Sequence, residues 1–401
     1  MQKFLYTFTA VCCFLTAACV QRVLESAPAH SVPRGVPENY QALYREIDAE
    51  IDRQLPLIPL PWGHKKTGTA FGVELLAADS NRGEALLSEQ VLQATALTLD
   101  RLQALGVQSV SLGLHYPVLT RSHPRAAEYR EFYRKVAADI RRRGLMIVAE
   151  MGSAYREPEL SRVGADYRGL KRDKFGAALR EMAEAVIADI RPDFLTILSE
   201  PDTQTRNTGL PFSPAEFAAT IGQVVKELDH TGVKLGAGAG SWVSIDYFKA
   251  LAAIPELDYI DFHIYPVQYG FASDRVLKAA EAARAMGKRV SIGQAWLYKV
   301  LGRELTRISP VEAFSRDVFS FWQPLDENFI QLVVNLARTI DAEFCSFFRM
   351  EHFFGYLDYT AETSQLPYDQ LKRMIDRRAG ENIEKGTLSA TGRKFRDLIK
   401  R

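Results

Sequence analysis

From about residue 69 onward, short apolar runs rich in β-branched and aromatic residues alternate with longer segments of helical period. Eight such runs occur, at 70–75, 109–115, 146–150, 194–200, 234–238, 259–265, 289–293 and 343–348. The clearest helical segment is 88–105, where Val91, Leu92, Thr95, Leu99, Leu102 and Leu105 recur at three and four residues before Gly106 stops the helix. Further helices are predicted to begin near Arg125, Asp173, Pro214, Ser273 and Leu325. Ser213-Pro214-Ala215-Glu216 supplies an N-cap, a proline at the first helical position and a glutamate that closes a capping box. An amphipathic helix is expected at 40–54, and 366–401 adds one or two outer helices with basic, solvated faces.

Strands apolar on both faces, each followed by a helix, predict a parallel sheet covered by helices, and eight such units close into a (β/α)8 TIM barrel. A doubly wound sheet would want a glycine-rich phosphate turn after an early strand. Gly236-Ala237-Gly238-Ala239-Gly240 is the only candidate and lies at the fifth run, where small residues admit close barrel packing.

The N-terminus breaks this rhythm. Met1-Gln2-Lys3 is a short positive start, and 4–18 is uncharged and apolar or small, the pattern of an export signal. The run ends in Leu15-Thr16-Ala17-Ala18-Cys19, which resembles a bacterial lipobox and implies lipidation of the Cys19 thiol. A periplasmic or secreted protein and an uncleaved anchor are the alternatives. Residues 20–37, with their scattered Ser, Pro and Gly, read as a tether, so the chain divides into a signal at 1–19, a linker at 20–37 and a barrel domain at 38–401.

Composition narrows the function. With 47% hydrophobic and 25% charged residues over 401 positions, the chain is an ordinary globular protein. Fifty Lys+Arg against 49 Asp+Glu give a formal charge of +1, which argues against nucleic acid as a partner. Only Cys345 lies outside the signal, inside an apolar run, where a buried packing role is expected. With no CxxC and no paired His at ligand spacing, neither a metal nor another cofactor is expected, and no feature selects an oligomeric state.

In such barrels chemistry sits at the carboxyl ends of the strands. The polar and aromatic residues ending the runs are Glu74, His115 with Tyr116, Glu150, Glu200, Trp242, His263 with Tyr265, Gln294 with Trp296, and Arg349 with Glu351. Carboxylates, imidazoles and aromatic rings at one mouth suit a sugar, whose C–H faces stack on Trp and Tyr while its hydroxyls bond the polar groups. Tyr155, Arg156 and Arg162 read as a solvated loop.

On these residues the chain resembles the large clan of barrel glycoside hydrolases (clan A) whose acid/base Glu ends the fourth strand in an Asn-Glu-Pro turn. Here that turn is Ser199-Glu200-Pro201, the sixth run ends in His263-Ile264-Tyr265, similar to the clan's His-x-Tyr, and Ile292-Gly293-Gln294 resembles its Ile-Gly-Glu nucleophile strand. The resemblance implies a proton donor at Glu200, kept protonated by burial and neighbouring carboxylates, and sugar contacts at Ser199, His263 and Tyr265. Two departures stand out. Ser199 replaces Asn, and Gln294 replaces the nucleophile, although an amide is no carboxylate nucleophile. Hydrolysis then needs another carboxyl, for which Glu150, Glu74 and Glu351 are candidates. The expected function is an exported glycoside hydrolase-like protein acting on an oligosaccharide or polysaccharide. Its rivals are a carbohydrate-binding lipoprotein without turnover and a surface scaffold with no sugar site.

Overall fold

The computed structural model describes residues 32–58, 68–267, 269–305 and 307–400; the signal, Cys19 and most of the 20–37 tether lie outside them. Eight strands form at the eight apolar runs: β1 Ala70–Glu74, β2 Ser109–Tyr116, β3 Met146–Ser153, β4 Phe194–Thr196, β5 Lys234–Gly240, β6 Tyr259–Val267, β7 Arg289–Leu301 and β8 Phe344–Phe347. All pair in parallel in sequence order, and β8 closes on β1, giving the (β/α)8 barrel.

The local signals act as expected. Ser88 caps helix Glu89–Leu105, and Gly106 ends it at φ 101°, a left-handed conformation that costs glycine little. Ser213 and Glu216 form the capping box of helix Pro214–Val225. Three eight-residue helices, Pro201–Thr208, Ile245–Ala252 and Pro310–Asp317, escaped the sequence reading, because two turns give too few positions for a helical period. The C-terminal stretch forms two helices, Tyr368–Lys385 and Ala390–Ile399, whose inner faces bury Leu371, Ile375, Phe395 and Leu398. At the other end, helix Glu38–Gln54 packs Tyr44 in a stack on Trp322.

The barrel floor is closed by Phe194, Tyr259 and Phe344, with ring centroids 4.9 to 5.7 Å apart. Above it the interior turns small and polar, with Ser111 bonded to Ser346 and Thr196 to Tyr259, each at 2.8 Å. The glycine run of β5 makes room for this layer. A Cβ at Gly236 would sit 2.2 Å from the Tyr259 ring, and one at Gly238 would sit 2.5 Å from the Asp261 carbonyl oxygen. The run is therefore a packing device. Cys345 is buried, and burial pushes its thiol pKa up, consistent with an unreactive packing residue.

Candidate active site

Regular pairing of β4 ends at Thr196, and 197–200 lead to Glu200, which takes a left-handed backbone (φ 53°) immediately before Pro201 opens helix Pro201–Thr208. For a residue with a Cβ that conformation costs about 1–2 kcal/mol, and such strain is held where surrounding contacts fix it. Those contacts are on the carboxylate. Oε1 accepts from His263 Nδ1 at 2.8 Å and Oε2 from Thr203 Oγ1 at 2.7 Å.

His263 reaches the mouth because β6 alternates: Asp261, His263 and Tyr265 face inward, while Phe262 packs outward on Phe248. The far side of the imidazole meets two more carboxyls, with Nε2 3.4 Å from Asp261 Oδ2 and 3.7 Å from Glu150 Oε2. Tyr265 donates to Gln294 Oε1 at 2.7 Å, and Gln294 Nε2 donates to Glu74 Oε2 at 3.1 Å. Beside Glu74 stands His115, whose Nδ1 lies 2.9 Å from Ser80 Oγ and 3.5 Å from Asp79 Oδ1. Gly113 leaves space for both, since a Cβ there would lie 3.0 Å from His115 Cε1 and 3.1 Å from Glu74 Oε1. Trp242 donates its indole N–H to Asp202 at 2.7 Å and sets its ring 6.1 Å from that of Tyr265. Thus Glu200, Glu150, Glu74, His115, His263, Tyr265, Gln294 and Trp242 come together, with Glu200, Trp242, Tyr265 and Gln294 partly open to solvent. Ser199 is buried, and its carbonyl accepts from Gln204 Nε2.

Three candidates fall elsewhere. Strand β7 runs on past the barrel to Leu301, so Trp296 leaves the mouth; its ring stacks on His352 at 5.3 Å and its N–H bonds Asp317. Arg349 is also buried, pairing with Glu351 at 2.9 Å and lying 3.5 Å from Asp317. Trp296 and Arg349 thus lie buried apart from the residues gathered around Glu200, and Glu351 lies beside Arg349. The physical reason is charge. Lys299, fully buried, draws Asp317 and Asp326 into an ionic cluster behind the mouth, and Trp296, Arg349, Glu351 and His352 complete it.

The electrostatics correct one expectation. Burial alone would raise the Glu200 pKa, but the hydrogen bond and charge of His263, with Thr203, hold it below the usual carboxylate range. The raised acids are its neighbours. Burial, reinforced by Asp261 and Glu200 and opposed by His263, pushes Glu150 up to about 8. Burial, Asp79 and Glu150 push Glu74 well up as well. The site thus favours the carboxylate at Glu200 and the neutral acid at Glu150 and Glu74, while burial lowers the pKa of His263 and the Asp261 and Glu200 carboxyls more than offset it.

Several residues of this network were not singled out from sequence: Asp261, Thr203, Asp202, Asp79 and Ser80. For Asp261 a signal existed, since it precedes His263 by two positions on a strand and so shares its face. The others lie on short helical turns with no period to mark them. The loop after β3 forms a hollow of about 310 Å³ lined by Tyr155, Arg156, Tyr167 and Arg168 among others. Tyr155 also sets its ring 6.5 Å from His115, so this loop borders the mouth.

No family model matches the chain, and no curated protein matches it significantly in sequence. Solved structures do match in fold. The GH5_18 protein from Bifidobacterium longum subsp. longum superposes with a TM-score of 0.51 at 15% identity, over 83% of this chain and 79% of that one. An exo-β-1,4-mannosidase from Opitutaceae bacterium strain TAV5 gives 0.52 at 13% identity, over 83% of this chain and 59% of that one. A GH5_18 variant from Streptomyces cattleya, solved in complex with Manβ1-4GlcNAc, gives 0.50 at 12% identity, over 83% and 80%. At these identities the likeness is one of fold: this chain has the barrel architecture on which those glycoside hydrolases are built.

Proposed function

We propose that the protein hydrolyses O-glycosidic bonds of an oligosaccharide or polysaccharide, with Glu200 as the proton-transfer group. The observation that carries this reading is the Glu200 carboxyl, held on a strained turn by His263, in a mouth shared with the Tyr265–Gln294 pair and the Trp242 ring. An aromatic face beside buried acids suits a sugar ring and its leaving oxygen.

Because Gln294 offers an amide, no glycosyl-enzyme ester forms there, and attack comes from water assisted by a second carboxyl, Glu74 or Glu150. Such a reaction inverts the anomeric centre. For this chemistry Glu200 must gain a proton and Glu74 or Glu150 must give one up, so a proton passes from the assisting carboxyl to Glu200 before the glycosidic oxygen is protonated. The second reading, glycan binding without turnover, is favoured by one observation: both polar atoms of the Gln294 amide are already satisfied in the resting site.

The test is a panel of β-linked oligosaccharides that begins with β-1,4-manno-oligosaccharides and Manβ1-4GlcNAc, the sugars named for proteins that share this fold, with NMR of the first-formed anomer. Hydrolysis with inversion is expected, and Glu200→Gln should lower it by about 10²- to 10⁴-fold while binding persists. Saturable binding without hydrolysis selects the second reading, and neither binding nor hydrolysis overturns both. For location, we propose a lipid anchor at Cys19; Cys19→Ala should move the protein from membrane to soluble fractions.

A further inference from the structure

We infer that Glu150, Asp261 and His263 form a binding site for one divalent transition-metal cation, of the Zn²⁺ class, beneath the mouth. These three side chains offer one ligand atom each, all within 4.8 Å of one another. They are 5%, 0% and 3% exposed.

The spacing distinguishes ion ligands from hydrogen-bond partners. On one side of the imidazole, Nδ1 lies 2.8 Å from Glu200, an ordinary hydrogen bond. On the other, Nε2 stands 3.4 Å from Asp261 and 3.7 Å from Glu150, beyond the roughly 2.7–3.2 Å of an N–H···O bond. Two donors that share one zinc at about 2.1 Å with a tetrahedral angle between them lie about 3.4 Å apart. The gap therefore has the width of an ion.

Most of the polar atoms around it lack other partners, although Asp261 Oδ2 also accepts from Thr196 Oγ1 at 3.4 Å. Among the described residues, His263 Nε2, both Glu150 carboxyl oxygens and Asp261 Oδ1 are buried without a hydrogen bond. Leaving buried polar atoms unmatched costs free energy, and a cation would take one ligand atom from each of the three side chains. The outer partner is in place as well. The Glu200 carboxylate holds Nδ1 and so turns Nε2 toward Asp261 and Glu150, the carboxylate–histidine–metal arrangement, and a cation bound there would displace any proton on Nε2. One imidazole and two carboxylates favour Zn²⁺, Mn²⁺ or Fe²⁺ over Ca²⁺ or Mg²⁺, which prefer all-oxygen shells. Three protein ligands also leave a coordination position for water, unlike a closed structural site.

This site does not depend on the hydrolase reading. With a cation bound, Glu150 is committed to it, and Glu74 remains as the uncoordinated carboxyl of the pair considered above. The expectation that no metal is bound rested on ligand spacing within single segments; these ligands come from β3 and β6, which do not pair and meet across the barrel interior.

The experiment is calorimetric titration of Zn²⁺ into the full-length, chelator-stripped protein, with metal content measured after gel filtration. One equivalent is expected. Asp261→Asn and Glu150→Gln should each abolish it, and Glu200→Gln, which removes only the outer partner, should weaken it about 10- to 100-fold. A cooperative melt qualifies each variant as folded, and should one fail to fold, the wild-type titration decides alone. A wild type that takes up no zinc overturns the site and leaves the gap to a doubly protonated imidazole. Uptake undiminished in both variants overturns it too, by placing the ion elsewhere. Zinc binding without glycan hydrolysis supports this inference while sinking the hydrolase reading, so the two fail separately.

Discussion

Tyr265 donates its phenolic proton to the side-chain carbonyl of Gln294 at 2.7 Å, while the amide nitrogen of the same side chain donates to Glu74 at 3.1 Å. An amide can accept from one neighbour and donate to the other; a carboxylate can only accept. Gln294→Glu therefore brings a second carboxyl against Glu74, whose pKa is already raised, and the pair must share a proton. Groups with raised carboxyl pKa values contribute stability at low pH that is lost as pH climbs through the folded pKa. Urea melts should show Gln294→Glu near wild type at about pH 5 and about 1–3 kcal/mol less stable at about pH 8. A stability gap that closes toward alkaline pH would contradict this pairing. Adding Glu74→Gln to the variant should remove the gap.

Trp242 and Trp296 have opposite duties. Trp242 borders the mouth beside Tyr265, so Trp242→Ala should weaken glycan affinity by about 0.5–1.5 kcal/mol with little change in melting temperature. Trp296 is 1% exposed and packed on His352 and Phe353, so Trp296→Ala should cost about 3–5 kcal/mol of stability. Equal losses of affinity in both variants would return Trp296 to the sugar site.

Lys299 is wholly buried between Asp317, 2.5 Å away, and Asp326, whose other oxygen accepts from Tyr356. Lys299→Met keeps the volume but leaves two acids facing each other without their shared cation. A loss of about 3–5 kcal/mol is expected in denaturant melts. A Lys299→Met protein as stable as wild type would show that Arg349 and His352 suffice to neutralise the cluster.

At the opposite end of the barrel Glu343 ties three strands together, accepting from Lys234 at 2.9 Å and Arg289 at 2.5 Å. Burial would raise its pKa, but these two cations lower it on balance. A depressed carboxyl pKa contributes stability above the unfolded value that disappears as pH falls through the folded one. Both cations are half exposed, so Glu343→Gln should cost only about 0.5–1 kcal/mol at neutral pH, shrinking toward zero in acid. A cost that grows in acid would reverse the assigned sign.

What the sequence by itself determined is what depends on local order along the chain. Eight apolar runs became eight strands because burial on both faces demands continuous hydrophobicity, and Ser88, Gly106 and Ser213 set helix ends through bonds within one turn. Placing Glu200, His263, Tyr265 and Gln294 at one mouth followed from the same logic, since a strand's carboxyl end is readable and a parallel barrel gathers all eight. The tertiary structure alone decided how those groups affect one another. It recruited Asp261 beside His263, lowered the carboxyl pKa of Glu200 while raising that of Glu150, set Trp296 beneath Lys299 and drew Arg349 to Asp317 and Glu351. Charge and desolvation act through space over a few ångströms, between residues far apart in the chain, so no pattern of neighbours along the sequence encodes their sign.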